Sequence, residues 1–295
     1  MAYDLYDTFP EAKARLEEAD AVLGFSLTDL MFGKSGDAAT DAEALKQTEV
    51  TQPALYAHSL AAMAVLEARG LAPDMTAGHS LGEYSALAAA GAITFADGLR
   101  IVRLRGQLMA EAGTKRPGTM GAVLGMDDDA LQAVCDAVNA EGNGFVQPAN
   151  FNSPGQVVVS GDIPAVERAL ALASEQGAKR AIPLPVSGAF HSPLMTHARD
   201  GLAEGLEALT IVTPRCPVYL NVTAEPTTDP DEIRQRLLEQ LLSPVRWAQT
   251  LTNMQANGAD NFAEVGTGRV LSGLVKRTLG RRIPTKTYGT VADFA

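Results

Sequence analysis

A serine flanked by glycines is the most reactive arrangement in this sequence. The run Thr76-Ala77-Gly78-His79-Ser80-Leu81-Gly82 places Ser80 between a predicted short strand and an Ala-rich predicted helix, in the Gly-x-Ser-x-Gly pattern of a nucleophile elbow. Small neighbours let the strand and helix pass closely, and the sharp turn exposes the hydroxyl. The N–H of Leu81 then points toward an oxyanion formed at the serine. The pattern predicts a serine nucleophile with Leu81 as an oxyanion donor, and a tight packing turn without chemistry is the alternative.

A serine nucleophile needs a base, and the chain has four histidines, His58, His79, His191 and His197. His58 lies within a predicted helix and is interpreted as structural or surface-exposed. His79 adjoins Ser80, but side chains of consecutive residues diverge, so we expect it to support the loop. His191 lies in a predicted loop, where catalytic residues concentrate, whereas His197 falls inside the following helix. Sequence order therefore favours His191 over His197 as the general base.

The elements that must position these residues alternate along the chain. In the first part, helical apolar spacing predicts helices at 7–23, 53–69, 81–90 and 95–112. Pro53 is expected in the first turn of its helix and Thr94 as an N-cap. A strand is predicted at 74–78. Further on, helices are predicted near 193–208, 231–242, 247–257 and 269–279, and strands near 217–221, 261–265 and 285–288. This alternation favours a mostly parallel sheet covered by helices.

The middle of the chain has a different pattern, in the order strand, helix, strand, strand, helix, strand. These elements are predicted at 120–124, 127–139, 145–149, 156–160, 163–176 and 180–184. The order is ferredoxin-like. The two ends of this region carry proline-containing segments typical of domain hinges, Lys115-Arg116-Pro117-Gly118 and Pro183-Leu184-Pro185. The fold class is therefore predicted to be α/β, with a small ferredoxin-like domain at 117–185 inserted into a large domain of residues 1–116 and 186–295.

Composition excludes several classes of function. The formal net charge is −11, and nucleic-acid binding needs clustered positive charge, so no nucleic-acid partner is expected. No apolar run approaches the ~20 residues that span a bilayer, and the acidic start lacks a signal-peptide pattern. Cys135 and Cys216 stand far apart without metal-like spacing, which fits a reducing cytoplasm. We expect a monomer that needs no metal and no cofactor.

One local run departs from the acidic balance. It consists of five cations, Lys276, Arg277, Arg281, Arg282 and Lys286. Taken alone, the run is interpreted as a solvated helix end. A surface on which an acidic partner docks is the alternative.

Several blocks together resemble one family. The run from Gly78 to Leu87 is similar to the active-site signature of the malonyl-CoA:acyl carrier protein transacylases. The resemblance covers nearly the whole chain, through Thr51-Gln52-Pro53-Ala54-Leu55, Arg105-Gly106, Asn150-Phe151-Asn152-Ser153-Pro154-Gly155-Gln156-Val157-Val158, Gly177-Ala178-Lys179-Arg180, and Glu264-Val265-Gly266 with Gly268. It implies an α/β-hydrolase-like large domain with a ferredoxin-like insert, which agrees with the predicted elements.

The resemblance implies a role for each matching residue. Ser80 corresponds to the nucleophile and His191 to its general base and acid, without a triad carboxylate. The family steadies this histidine with a carbonyl at the position of Gln240, which fits a role in fixing the tautomer. Arg105 corresponds to a carboxylate clamp, since a guanidinium binds a carboxylate bidentately. Without the family match, Arg105 would be interpreted as one of several solvated helix arginines.

Three further residues are assigned to the substrate-binding side of the site. Phe190, before the histidine, resembles the malonyl-selective members of the family. His79 and Asn152 lie in matching blocks beside the nucleophile loop and in the middle of the chain.

The implied activity is transfer of malonyl from malonyl-CoA to the phosphopantetheine thiol of acyl carrier protein through an ester on Ser80. Fatty-acid biosynthesis is the expected pathway, with polyketide synthesis left open. Because the carrier protein is expected to be acidic, Lys276, Arg277 and Arg281 are its candidate contacts. Rim charges of this kind mainly affect the association rate.

Two other interpretations remain open. A serine thioesterase would explain Ser80 and His191 but not Arg105 or the inserted domain. The family also begins with a strand and a loop reading roughly Phe-Pro-Gly-Gln-Gly-Ser-Gln, which this sequence does not show before its first helix. That loop supplies a second oxyanion donor, so we expect the chain as given to be weakly active. A non-catalytic interaction module with an impaired site is the second alternative.

Overall fold

The computed structural model describes residues 1–186 and 188–295. The α-helices of this part of the chain are α1 (Tyr3–Thr8), α2 (Pro10–Leu23), α3 (Leu27–Phe32), α4 (Ala38–Ala44), α5 (Thr48–Ala68), α6 (Gly82–Ala89), α7 (Phe95–Lys115), α8 (Asp128–Ala140), α9 (Ile163–Glu175), α10 (Thr196–Ala208), α11 (Pro230–Gln240), α12 (Trp247–Ala256) and α13 (Val270–Thr278). The strands are β1 (Thr76–Ala77), β2 (Thr119–Leu124), β3 (Val146–Ser153), β4 (Gln156–Gly161), β5 (Arg180–Pro183), β6 (Val218–Tyr219), β7 (Pro226–Thr227), β8 (Phe262–Val265) and β9 (Thr285–Tyr288). No helix of the described residues is long and apolar enough to cross a membrane.

The first predicted helix, 7–23, is divided in two. Phe9 has extended dihedral angles, φ −113° and ψ 117°, and separates α1 from α2. Pro10 is the first residue of α2. A proline disfavours helical geometry in the residue before it, which explains the break at Phe9.

The helix predicted at 53–69 begins earlier than expected. It is α5, which starts at Thr48 and carries Pro53 in its interior. Because Pro53 has no N–H, the carbonyl of Glu49 loses its usual helical donor. Arg103 of α7 donates to that carbonyl instead. The neighbouring helix therefore compensates for the proline, and α7 begins as predicted, with Thr94 accepting a hydrogen bond from the Asp97 N–H at its N-cap.

The strands outside 119–183 form two separate small sheets. β1 pairs with β6 in parallel, and β6 pairs with β7 antiparallel. β8 and β9 form a parallel pair. The mostly parallel sheet predicted here is thus found as two parallel pairs of short strands, with an antiparallel neighbour at β7 that the sequence did not reveal. Helices α2, α5, α6, α7 and α10 contribute to the main apolar core, which also includes Val218 of β6.

Residues 119–183 contain a four-stranded sheet in the order β3-β4-β2-β5. All of its pairs are antiparallel, and α8 and α9 complete the predicted order of strands and helices. These helices close a separate apolar cluster that includes Val123, Leu131, Val134, Val157 and Val166. β4 is buried at every position from Val157 to Gly161, and Met120, Ala149 and Val158 form a second buried cluster with Phe190 packed against it, so both faces of the sheet are covered.

The edge strand β3 connects this sheet to the later part of the chain. Phe151 N–H donates to the Val245 carbonyl at 2.9 Å, and Val245 N–H donates to the Ala149 carbonyl at 2.9 Å. On the same strand, the side-chain amide of Gln147 donates to the carbonyl of His191 at 2.7 Å. The four-stranded sheet therefore supports the loop that carries His191.

Candidate active site

Ser80 lies on the turn between β1 and α6 in a strained conformation. Its φ is +51°, a left-handed value that is uncommon for residues other than glycine. A Cβ on Gly78 would stand 1.8 Å from the carbonyl oxygen of Gly82, so only glycine fits there. The strain and the glycine together create the sharp turn that the sequence pattern predicts. Strained backbone of this kind is concentrated at functional sites.

Asn221, which follows β6, holds this turn in place. Its Oδ1 accepts from the Ser80 N–H at 2.7 Å, and its Nδ2 donates to the Gly78 carbonyl at 2.7 Å. Asn221 was not predicted as a site residue. The available signal was its position at the carboxyl end of a strand parallel to β1, where side chains converge on sites in α/β folds.

Ser80 and His191 are in direct contact. Ser80 Oγ lies 2.8 Å from His191 Nε2, and His191 Nδ1 lies 2.9 Å from the main-chain carbonyl of Gln240. A carbonyl can only accept, so the proton of a neutral His191 sits on Nδ1. Nε2 is then left with a lone pair for the serine proton. The structure thus brings together the three residues that the sequence assigned to nucleophile, base and base-steadying carbonyl.

His191 is held neutral by its surroundings. Burial, followed by the nearby charge of Arg105, lowers the pKa of His191 to about 3. Its own backbone is strained, with φ +58°. The contact from Gln147 to its carbonyl helps to fix this conformation. An imidazole in this state is unprotonated over the whole physiological pH range, so its Nε2 lone pair faces the serine hydroxyl.

The Leu81 N–H is available at the start of α6. Among the residues that the structure describes, no oxygen accepts a hydrogen bond from it. Leu81 itself is buried and helical at the N-cap position. A free amide at a helix N-terminus beside Ser80 fits the donor role that the sequence predicted for it.

Arg105 is buried beside the serine rather than solvated. It lies on α7 and is only 1% exposed. Its Nη2 donates to Ser80 Oγ at 3.0 Å and to Gln240 Oε1 at 2.9 Å, and its Nη1 donates to Gln52 Oε1 at 2.7 Å. Within the described residues, no carboxylate lies within 4.0 Å of this guanidinium, and its Nε has no partner. A buried cation with only neutral partners is suited to an anionic ligand.

The side chains of Glu83 and Gln240 extend this network beneath the serine. Gln240 Nε2 donates to the Ser80 carbonyl at 3.0 Å and to Glu83 Oε2 at 3.1 Å. The Asn221 N–H donates to the same carboxylate oxygen at 2.9 Å. Burial raises the pKa of Glu83 to about 7. Glu83 lies three residues after Ser80 in the sequence, but neither its residue type nor its spacing predicted that its carboxyl group is buried.

The three remaining site residues occupy different positions. His79 Nε2 lies 2.7 Å from Asn152 Oδ1, and its ring packs at 5.6 Å from that of Trp247. The structure therefore joins His79 and Asn152 to each other beside Ser80. Phe190 precedes His191 and packs against both the main core and a small cluster of Met120, Ala149 and Val158.

The other two histidines lie outside this arrangement. His58 is buried in α5 and its Nε2 contacts the Gly289 carbonyl at 2.9 Å, which is a structural role. His197 is exposed on α10, where its Nε2 lies 2.8 Å from Lys115 Nζ and 3.4 Å from Glu111 Oε2. Of the two candidate bases, only His191 contacts Ser80.

The cations near the end of the chain line an open cleft. Lys276, Arg277 and Arg281 border it together with Ser153 and Pro154. Ser153 and Pro154 directly follow Asn152, which contacts His79. The cleft is therefore bordered by residues that directly follow a neighbour of the nucleophile loop.

A serine on a sharp turn, hydrogen-bonded to a neutral imidazole, is the chemistry of enzymes that carry an acyl group on a hydroxyl. The chain belongs to the acyl transferase domain family, whose model matches residues 1–293. It is 48% identical over 285 residues to the malonyl CoA-acyl carrier protein transacylase of Bacillus subtilis, covering 97% of this chain and 87% of that protein.

Solved structures agree with this family. An acyl carrier protein S-malonyltransferase from Vibrio cholerae is 42% identical and superimposes with a TM-score of 0.92, covering 100% of this chain and 94% of that one. A second structure is a type II PKS acyl-carrier protein in complex with its malonyl-transacylase. It is 41% identical, with a TM-score of 0.92, and the match covers 99% of this chain and 92% of that one.

Proposed function

We propose that the chain moves malonyl groups from malonyl-CoA to the phosphopantetheine thiol of acyl carrier protein, in fatty-acid biosynthesis. The observation that carries this proposal is Arg105. Its buried guanidinium lies 3.0 Å from the nucleophilic oxygen and has no carboxylate partner among the described residues. A malonyl thioester ends in a free carboxylate, which is the partner that this guanidinium lacks.

In the first half-reaction, the malonyl group passes from sulfur to Ser80. His191 Nε2 takes the hydroxyl proton while Oγ bonds to the thioester carbon. The Leu81 N–H stabilises the resulting oxyanion. As the intermediate collapses, the carbon–sulfur bond breaks and His191 returns its proton to the sulfur of coenzyme A. The Gln240 carbonyl keeps the Nδ1 proton in place throughout, and so fixes the orientation of the ring.

In the second half-reaction, the thiol of the carrier protein attacks the seryl ester. His191 takes the thiol proton, the carbon–oxygen bond to Ser80 breaks, and the proton passes to Oγ. Both substrates therefore use the same base in turn, which is a ping-pong scheme. The bound malonyl carboxylate holds the ester in position between the two steps.

The other assigned residues act around this centre. Phe190 borders the acyl group, and the contact between His79 and Asn152 supports the nucleophile loop at the mouth of the site. Lys276, Arg277 and Arg281 form the contact for an acidic carrier protein, because these cations line an open cleft together with Ser153 and Pro154, which follow Asn152. Complementary charges at such a rim accelerate association.

The domain organisation proposed for this activity is a large α/β-hydrolase-like domain of residues 1–116 and 186–295, with a ferredoxin-like domain at 117–185. The smaller domain is supported by the separate apolar cluster and the strand order of residues 119–183. We propose a monomer in the cytoplasm. Cys135 and Cys216 are both unpaired and buried, which fits a reducing compartment.

The test is a transfer assay with malonyl-CoA and phosphopantetheinylated acyl carrier protein, resolved by mass spectrometry of the carrier. Malonyl-carrier protein should accumulate in proportion to coenzyme A release. Coenzyme A release with free malonate and no malonyl-carrier protein would reject the transferase and favour a thioesterase.

A further inference from the structure

Glu83 is a buried carboxylate on the first turn of α6 that the transfer reaction does not use. It is fully buried, and its Oε2 accepts from both the Asn221 N–H and Gln240 Nε2. Its Oε1 has no hydrogen-bond partner among the described residues. Burying a carboxyl group with one oxygen unpaired costs stability, which the two hydrogen bonds to Oε2 offset only in part.

The contacts of Glu83 determine which way the Gln240 amide faces. Gln240 Nε2 meets two acceptors, the Ser80 carbonyl and Glu83 Oε2, while Gln240 Oε1 meets a donor, Arg105 Nη2. Rotating the amide by half a turn would set its NH₂ against the guanidinium and its oxygen against the two acceptors. Orientations of side-chain amides are settled by such partners. Glu83 therefore favours the one orientation in which Gln240 accepts from Arg105.

Arg105 in turn is oriented by the acceptors around it. Besides Gln240 Oε1 and Ser80 Oγ, it donates to Gln52 Oε1, and Gln52 is itself held by a contact from its Nε2 to Thr48 Oγ1 at 2.8 Å. These acceptors fix the guanidinium plane next to the nucleophile.

We propose that Glu83 is a positioning residue for malonyl selection, which acts by holding the Gln240 amide so that its oxygen orients Arg105. The inference rests on the proposed malonyl transfer. Glu83 touches neither the substrate nor the reacting atoms. It sets the direction of a hydrogen-bond chain that runs from Asn221 through Glu83 and Gln240 to Arg105.

An acceptor oxygen, rather than a negative charge, is what this role requires. Burial raises the pKa of Glu83 to about 7, so the neutral acid is readily formed. A proton on the unpartnered Oε1 leaves Oε2 free to accept from Asn221 and Gln240. A glutamine at this position could likewise place its oxygen at Oε2 and its NH₂ at Oε1, whereas a methionine offers no acceptor.

The test compares Glu83→Met with Glu83→Gln in the full chain, measuring kcat/KM for seryl-ester formation from malonyl-CoA and from acetyl-CoA. Glu83→Met should reduce the malonyl-to-acetyl ratio by at least about 10-fold, the effect of weakening one hydrogen bond to a charged group. Glu83→Gln should keep the ratio within about 3-fold of the parent. If Glu83→Met folds and keeps the parent malonyl-to-acetyl ratio, the proposal is overturned. It is also overturned if Glu83→Gln lowers this ratio as much as Glu83→Met does.

Two further variants separate positioning from general destabilisation. Asp41 is also a buried carboxylate and accepts from Ser35, away from the site. Asp41→Asn should leave the malonyl-to-acetyl ratio unchanged even where it lowers the melting temperature. If Glu83→Met does not fold, Gln240→Met is tested instead. This variant removes the side-chain amide that joins Glu83 to Arg105 but keeps the main-chain carbonyl that contacts His191. It should lower the malonyl-to-acetyl ratio by a similar factor. An unchanged ratio in Gln240→Met overturns the inference. A parent chain that forms no malonyl ester would instead reject the proposed function.

Discussion

The region around Ser80 and the four-stranded sheet of residues 119–183 are built on opposite principles. Around Ser80, several of the buried side chains are polar or charged, among them Glu83, Arg105, His191 and Asn221. Two of the residues there, Ser80 and His191, have left-handed backbone angles. In the four-stranded sheet, the cluster beneath the strands consists of apolar side chains.

The contrast separates what performs the chemistry from what supports it. Buried charges and strained backbone cost stability and persist where the surroundings hold them in place. Aliphatic packing provides that stability, at about 25 cal/mol per Å² of apolar surface buried. Gln147 joins the two regions, since it lies on β3 and donates to the His191 carbonyl. Substitutions in the first region should therefore alter rate and selectivity, and those in the second should alter stability.

The largest effect is expected from His191→Ala. Among the described residues, it removes the only histidine that is hydrogen-bonded to Ser80 Oγ, and general-base assistance contributes typically ~10²–10⁴-fold. The rate of seryl-ester formation, followed by quenched-flow mass spectrometry, should fall by that factor while the circular dichroism spectrum is unchanged. His197→Ala is the matched control and should match the parent rate. The opposite ranking of these two variants would show that the base has been misassigned.

In the four-stranded sheet, Leu131→Ala should act on stability alone. Leu131 is 1% exposed on α8, and a buried leucine truncated to alanine typically costs about 2–5 kcal/mol. Urea denaturation should report this loss, whereas the ester-forming rate per folded molecule should not change. Ile163→Ala, on the exposed start of α9, should stay within about 0.5 kcal/mol of the parent. A large fall in rate with no loss of stability would break the division between the regions.

Arg105→Ala should change selectivity more than the reaction itself. A charge-assisted hydrogen bond contributes about 1.5–3 kcal/mol, so the preference for malonyl-CoA over acetyl-CoA should fall roughly 10- to 150-fold. Competition between the two thioesters for Ser80 measures this preference directly. Arg100→Ala, on the exposed face of the same helix, is the control. If Arg105→Ala leaves the preference intact, the guanidinium does not bind the malonyl carboxylate.

A smaller effect is expected at the cationic cleft. Reversing Lys276 and Arg281 to glutamate should raise the apparent KM for acyl carrier protein several-fold and leave the KM for malonyl-CoA unchanged, because rim charges act on association. The effect should shrink as salt is raised. Reversing Lys13 and Lys46, which are exposed elsewhere, provides the control for net charge. Equal effects on both substrates would argue against this surface as the carrier contact.

The smallest change in the rate of ester formation is expected when the pH is varied. An imidazole with the ordinary pKa of about 6.5 would lose roughly 25-fold of its neutral form between pH 7 and pH 5. Because the pKa of His191 is lowered to about 3, it stays neutral across this window and kcat/KM for ester formation should vary less than about 3-fold. Because the pKa of Glu83 is raised to about 7, Glu83→Gln is the control: a midpoint near 6.5 that persists in this variant would show that the base is less buried than the structure indicates.

Much of this arrangement could be predicted from local sequence. The strand-to-helix turn at Ser80, the N-cap at Thr94 and the alternation of strands and helices in 119–184 follow from short-range patterns, and the observed elements confirm them within a few residues. The break at Phe9 was missed because it depends on the proline that follows this residue. The early start of α5 was missed because Arg103 of the neighbouring helix α7 compensates for Pro53.

The parts of the site that were missed depend on contacts between distant residues. Asn221 and Glu83 are ordinary polar residues in the sequence, and only the pairing of β1 with β6 brings Asn221 against the serine turn. The role of Arg105 was likewise not evident from its local sequence. Its helix position alone suggested a solvated side chain, and the family resemblance was needed to assign it to the site.

The central claim is that malonyl is carried on Ser80, and the most direct measurement is the mass of the intact protein after mixing with malonyl-CoA, followed by peptide mapping. The parent chain should gain the mass of one malonyl group, located on the peptide that contains Ser80, and should lose it when phosphopantetheinylated carrier protein is added. Ser80→Ala should gain nothing. Malonyl found on another residue, or an equal mass gain in Ser80→Ala, would contradict the account.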